Sequence, residues 1–190
     1  MLREQLMRWL FRDGGGPSYS QSGEDRIVKY VLDVLGVAHP TYLDIGAHHP
    51  VRISNTYLFY ENGSKGVCVE PNPSLYLRLR QARPRDTCLN IGVGGNRQKA
   101  APFYELDSTT LSTFSESEAR RYVEEHGKRI VHTAEVDIIT PAEIIGQHFQ
   151  APPDFVSLDV EGLELEILEA FDLSGARPAV FCVETITYST

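Results

Sequence analysis

The strongest constraint in this chain is an ending that occurs four times, a short apolar run that stops at an acid. Thr41-Tyr42-Leu43-Asp44 leads into Ile45-Gly46-Ala47-His48-His49-Pro50, and Gly66-Val67-Cys68-Val69-Glu70, Phe155-Val156-Ser157-Leu158-Asp159 and Val180-Phe181-Cys182-Val183-Glu184 repeat the pattern. Each reads as a short buried strand. In an open parallel sheet, ligands bind outside the carboxyl ends of the strands, where strand order reverses. Four acids at four such ends line one cleft.

Helix signals separate the strands. Ser22 with Asp25 three residues on has capping-box spacing, and Ile27, Val28, Val31, Leu32 and Leu35 form the apolar stripe of the helix that follows. Ser54-Asn55-Thr56 starts a second helix, and Pro71-Asn72-Pro73-Ser74 starts a third, which runs to about Arg83. Residues 88–93 read as a third strand, so the order is β-α-β-α-β, the first half of a doubly wound sheet with right-handed crossovers. The middle is less regular. Residues 102–106 suggest a short strand, residues 107–114 a polar loop, and Ser115 with Glu118 a capping box. Residues 130–138 alternate as a half-exposed strand, and Thr140, Pro141 and Glu143 open another helix. Residues 162–171 form a helix with Leu163, Ile167, Leu168 and Phe171 inward.

One folded domain is expected, preceded by a short N-terminal segment. Residues 1–18 combine an amphipathic segment, with Leu2, Leu6, Trp9 and Leu10 at helical spacing, and a glycine-rich hinge; residues 19–190 form the main domain. A net charge of −8 and the lack of clustered Lys and Arg argue against a nucleic-acid partner. No stretch approaches the roughly 20 apolar residues of a membrane span, and residues 1–12 lack the apolar core of a signal peptide. Cys68, Cys88 and Cys182 have no CxxC spacing and read as small buried hydrophobes in a reducing, cytoplasmic compartment. The oligomeric state is left open.

The acids point to a nucleoside. Glu70 lies at the end of the second strand, where a carboxylate commonly accepts hydrogen bonds from both vicinal hydroxyls of a ribose. A dinucleotide pyrophosphate needs GxGxxG, but Gly46 is followed by His48 and His49 with no second or third glycine. An acid just before the glycine repels a pyrophosphate and suits a ligand carrying an ammonium and a sulfonium, which is S-adenosylmethionine.

The residues resemble the FkbM family of S-adenosylmethionine-dependent methyltransferases. The resemblance is carried by YSQSGED (19–25), YLDIGAHHP (42–50), SNTYLFY (54–60), GVCVEPNP (66–73), LNIGVG (89–94), the segment 109–114, PDFVSLDVEG (153–162) and RPAVFCVE (177–184). It implies an α/β Rossmann-like methyltransferase fold, a doubly wound, mostly parallel sheet in the order 3-2-1-4-5. It also implies methyl transfer from S-adenosyl-L-methionine to a hydroxyl on a sugar, glycan or polyketide-type small molecule. On this resemblance Asp44, Gly46 and Ala47 form the methionine-side loop, Glu70 holds the ribose, Asn90 borders the adenine, Gln21 helps close the pocket and Asp159 faces it from the fourth strand. The family's glycine pattern is reduced to Gly46, with His48 and Pro50 at the later positions. The usual helix and two strands after the fifth strand find no room before residue 190, which leaves a catalytically silent cofactor-binding module as the alternative.

An alcohol needs its proton removed before it attacks a methyl group, so a base or a metal is expected. His48 or His49 can serve as base. Alternatively Asp159 and Glu184 can hold Mg²⁺ or Ca²⁺ as hard oxygen ligands, though no metal ligand is assigned. In a third reading Glu161 caps a helix and the histidines only fill the loop.

Overall fold

A computed structural model describes residues 16–174 and 177–185. The amphipathic segment 1–12 and residues 13–15 of the hinge lie outside the described residues, as do residues 186–190. The core is a five-stranded sheet of β1 (Tyr42–Ile45), β2 (Gly66–Val69), β3 (Thr87–Leu89), β7 (Phe155–Leu158) and β8 (Val180–Val183). All neighbours run parallel, in the order β3-β2-β1-β7-β8. The chain is therefore a mixed α/β fold, and the strand order reverses between β1 and β7. Both strands are buried at all four positions, and their sequences are apolar except for Asp44 and Ser157, which stand in register with each other.

The pleat sends alternate residues to opposite faces. Leu43, Ile45, Val67, Val69, Val156 and Leu158 pack with Ile144 and Ile167 on one face; these come from α5 (Pro141–His148) and α6 (Glu164–Glu169). Tyr42, Cys68 and Phe155 pack on the other, against α1 (Glu24–Val34), α2 (Tyr57–Glu61) and α3 (Pro73–Ala82) through Val28, Leu32, Phe59, Tyr60 and Leu79.

A second sheet, in the order β4-β6-β5, contains β4 (Gly92–Val93), β5 (Gln98–Leu106) and β6 (Ile130–Ile139). Between β5 and β6 the chain makes a 3₁₀ turn at Thr109–Leu111 and helix α4 (Glu116–His126).

Several local expectations change. The single strand expected over residues 88–93 is two: β3 closes the parallel sheet, then Asn90 and Ile91 turn the chain and β4 joins the second sheet. The break falls at Asn90, the one polar residue in an otherwise apolar run whose two halves enter different sheets. Ser22 is not the cap of α1. Gly23 holds that position at φ 95°, while Ser20 Oγ accepts the N–H of Gly23 (3.1 Å) and of Asp25 (3.3 Å). Only Val28 and Leu32 of the expected α1 stripe are buried; Ile27, Val31 and Leu35 are exposed. Ser115 caps α4 by accepting the Glu118 N–H, but the Glu118 carboxylate pairs with Arg121 instead of reaching back. The Thr140–Glu143 capping box forms in full. Cys68, Cys88 and Cys182 are free thiols, fully buried only at Cys68.

Candidate functional site

A cavity of about 550 Å³ opens above the carboxyl ends of β1, β2 and β7, at the reversal of strand order. Gly46 forms its floor. The Gly46 backbone sits at φ +83°, and a Cβ there would lie 1.8 Å from the Asp159 carbonyl oxygen. Asp159 N–H donates to Ile45 O (3.0 Å), which presses the two strand ends together. The N–H groups of Gly46 and Ala47 both donate to Val69 O at 3.0 Å, so these donors are committed to the fold. What the loop offers the cavity is the bare Cα surface of Gly46.

Glu70 closes one side and is 5% exposed. Its Oε2 accepts the His48 N–H (2.9 Å) and its Oε1 the Asn72 N–H (2.8 Å), tying the loop after β1 to the start of α3. Asn72 then caps α3, accepting from Ser74 N and Leu75 N. Each carboxylate oxygen has a second lone pair beyond the one used, enough for two vicinal hydroxyl donors. Burial raises the Glu70 pKa to about 7, against the lowering effect of the two backbone N–H groups.

His48 also lines the cavity. Its Nε2 pairs with Thr109 Oγ1 at 3.0 Å, linking the loop to the 3₁₀ turn of the roof, and its Nδ1 is buried with no partner. Burial, then His49 and Arg78, push its pKa down, so the ring is neutral near pH 7. The roof and far wall come from Phe103 of β5 and from Leu111, Phe114 and Tyr122 in the segment between β5 and β6.

The third side is acidic. Asp159, Glu161 and Glu184 all line the cavity. Burial first, then the neighbouring Glu184 carboxyl, raise the Asp159 pKa. Burial raises Glu161 to about 7, with Tyr122 Oη donating to its Oε2 at 2.6 Å. Carboxylate oxygens of Asp159, Glu164 and Glu184 lie within 4.8 Å of one another, close enough to meet on one hard cation.

Among the described residues, four other than glycine adopt positive φ, and three of them, His48 (45°), Ile53 (56°) and Glu161 (57°), line this cavity. Such conformations cost about 1–3 kcal/mol each and persist where surrounding contacts over-determine them. The strain is concentrated at one place.

Raised carboxyl pKa values have a consequence for stability. Glu70 and Glu161 move from 4.5 to about 7 on folding, so between those pH values the folded chain holds protons that the unfolded chain has released. Their contribution is full below about pH 4.5 and is lost as pH rises through about 7. The free protein is therefore expected to melt at lower temperature at pH 8.5 than at pH 5.5. Glu70 alone accounts for on the order of 2–3 kcal/mol. A thermal melt series across that range checks it, and a melting temperature that climbs with pH refutes it.

The sequence-derived candidates divide. Gln21, Gly46, His48, Glu70 and Asp159 converge on the cavity. Asp44, Ala47, His49 and Asn90 do not line it. Asp44 is four residues short of His48 but on the opposite face of β1, beside Tyr42. There its carboxylate accepts from Thr56 Oγ1 (2.5 Å) and lies 3.9 Å from the Arg83 guanidinium. An expected cofactor contact is thus a buried structural acid. Ala47 packs in the core beneath the loop. The His49 Nδ1 accepts the N–H groups of Val51 (3.1 Å) and Arg52 (3.0 Å), which spends that lone pair on a turn. Asn90 props the site from outside, donating to the carbonyls of Glu70 (2.9 Å) and Pro71 (2.8 Å).

Sequence reasoning missed Ile53, Thr109, Tyr122 and the buried Arg83. Thr109 had a signal in its place within the segment 109–114 that carries the family resemblance, and Tyr122 another as an aromatic on the buried face of a helix.

Among the described residues, no helix is long and apolar enough to cross a membrane. No curated protein and no solved structure matches the chain. The family model described as the methyltransferase FkbM domain matches residues 44–188, from the acid of β1 to beyond the acid that follows β8. The chain belongs to the FkbM methyltransferase family.

Proposed function

We propose that this protein is an S-adenosylmethionine-dependent O-methyltransferase on a Rossmann-like fold, acting on a hydroxyl of a sugar, glycan or polyketide-type small molecule. The observation that carries this reading is the cavity at the reversal of strand order, floored by a glycine with no room for a Cβ and flanked by the Glu70 carboxylate. The residues present fit the cofactor. Gly46 lets the ends of β1 and β7 close together beneath the cavity, Glu70 retains acceptor capacity for a ribose diol, and no Lys or Arg among the described lining residues opposes a cation. When bound, S-adenosylmethionine supplies an electrophilic methyl group on a sulfonium.

The chain's own residues supply the rest. Glu70 holds the sugar hydroxyls, and Asn90 and Asn72 fix Glu70 by bonding its carbonyl and anchoring its side chain. Gln21 closes the rim beside Ile53. The apolar roof of Leu111, Phe103 and Phe114 excludes water from the reacting hydroxyl. His48 takes the acceptor proton on Nδ1: its ring is neutral near pH 7, Nδ1 is unpartnered, and Thr109 holds Nε2. His49 lacks that freedom, since its Nδ1 already accepts two backbone donors. Asp159, whose pKa burial raises, lines the pocket beside Gly46.

Titration calorimetry with S-adenosylhomocysteine and with NAD tests the assignment. Binding of the first and not the second is expected, and Glu70→Gln is expected to weaken it at least about ten-fold by removing a charged acceptor. Preference for NAD, or no binding of either, overturns the reading.

A further inference from the structure

Resting on the methyltransferase reading, we propose that Glu161 sets the acceptor class of this site, selecting hydroxyl acceptors that carry an ammonium group, such as amino sugars, and rejecting carboxylated or phosphorylated ones.

Glu161 belongs to the acceptor side because of what holds it. Its carboxylate receives the Tyr122 hydroxyl at 2.6 Å, and its carbonyl receives the Thr113 hydroxyl at 2.8 Å. Both partners come from the segment between β5 and β6, and neither comes from the loops at Gly46 and Glu70 that form the opposite half of the cavity. Thr113 is itself fully buried, so this anchor is part of the core rather than a surface contact. Glu161 adopts a left-handed backbone (φ 57°) directly before Gly162, which is also at positive φ (113°), so two successive residues are held in a turn that side chains rarely adopt. The carboxylate is therefore fixed at one place on the wall.

The surroundings define what it can read. Phe103 and Phe114 lie with ring centroids 4.8 Å apart, and Leu111 extends the same apolar wall. Such a surface takes the C–H face of a pyranose or another alicyclic body. Among the described residues lining the cavity, Glu70, Asp159, Glu161 and Glu184 contribute carboxyl groups, and there is no Lys or Arg. An acceptor bearing a carboxylate or phosphate meets carboxyl groups in a water-poor wall with no cation to offset it, and like charges brought together disfavour that partner. An ammonium meets an oriented acceptor.

The experiment uses the whole chain saturated with S-adenosylhomocysteine and three probes of matched skeleton: methyl glucoside, methyl glucosaminide and methyl glucuronide. Their dissociation constants are followed by ligand-observed NMR. The glucosaminide is expected to bind about ten-fold or more tightly than the glucuronide, with the glucoside between them. That spread is expected to collapse to within about two-fold in Glu161→Gln, which keeps the Tyr122 hydrogen bond but loses the charge. Glu161→Asn, a residue at ease with left-handed φ, is the second variant. A glucuronide that binds as well as the glucosaminide, a spread that survives both variants, or failure of all three probes while S-adenosylhomocysteine binds, overturns the inference alone. Loss of S-adenosylhomocysteine binding in both variants also overturns it, by placing Glu161 in the cofactor half. No S-adenosylhomocysteine binding by the unaltered chain removes the methyltransferase reading itself, and the inference with it.

Discussion

Gly46→Ala is expected to abolish S-adenosylhomocysteine binding and to lower the urea midpoint of unfolding sharply. Two independent costs coincide at this position. An alanine at φ +83° pays about 1–2 kcal/mol for the left-handed backbone. Its methyl group would also meet the Asp159 carbonyl oxygen at 1.8 Å and the carbonyl carbon at 2.9 Å. Both contacts are backbone, so no side chain can swing aside. Relief requires β1 and β7 to part at the point where Asp159 N–H bonds Ile45 O, or the loop to lift off Val69 O. Either movement displaces His48 and releases its N–H from Glu70. Stability and binding should therefore fall together, by several kcal/mol and beyond detection respectively. Gly63→Ala is the control: it also has positive φ (94°), but the nearest atom to an added Cβ, on the His39 ring, is 3.9 Å away, so only the backbone cost applies. If Gly46→Ala binds S-adenosylhomocysteine with unchanged affinity, the floor of the cavity is not where the ligand sits.

The strand-to-acid endings were legible because buried parallel strands must be apolar at every position and must stop where the ligand begins. That logic brings Gly46, Glu70 and Asp159 to one cavity. It does not bring Asp44 there, because a carboxylate inside a strand obeys the pleat and not the strand end. Asp44 pairs in register with Cys68 and Ser157 and shares their face, against α1 to α3. The last residue before a loop can turn toward a ligand; a residue two positions earlier is already committed. The roof was illegible for a different reason. Thr109 and Tyr122 reach the site only because β5 and β6 pair antiparallel and carry the intervening helix back over the parallel sheet. No local periodicity announces that return. The two histidines show the same limit at smaller scale. Adjacent and chemically identical, they differ only in which way the chain turns, which gives His49 two backbone donors and leaves His48 Nδ1 none.

Arg83→Met is expected to destabilise the chain by about 3–5 kcal/mol, the usual cost of stripping one partner from a buried ion pair. Arg83 is fully buried at the end of α3. Its Nε donates to Asp86 (2.7 Å), and its Nη2 donates to Tyr42 Oη (2.9 Å) and Thr56 Oγ1 (3.0 Å). Asp86 also accepts from Tyr42 Oη and from the Gly66 N–H at the start of β2, while Thr56 Oγ1 donates a hydrogen bond to Asp44. One guanidinium thus joins α3, β1, β2 and the start of α2 on the face opposite the cavity. Methionine fills the volume but leaves the Asp86 and Asp44 carboxyls without their cation. Arg83→Lys should fall between, since a single ammonium cannot reproduce the fork that meets three acceptors at once. If the loss comes from orphaned charge and not from packing, Arg83→Met combined with Asp86→Asn should cost less than the sum of the two single changes, by more than about 1 kcal/mol. Additivity in urea denaturation would assign the effect to packing instead. The same network ends at Asp44, two residues before Gly46. In Arg83→Met the loss of S-adenosylhomocysteine affinity should therefore exceed the unfolded fraction at the titration temperature, because β1 loses its anchor immediately below the loop that floors the site.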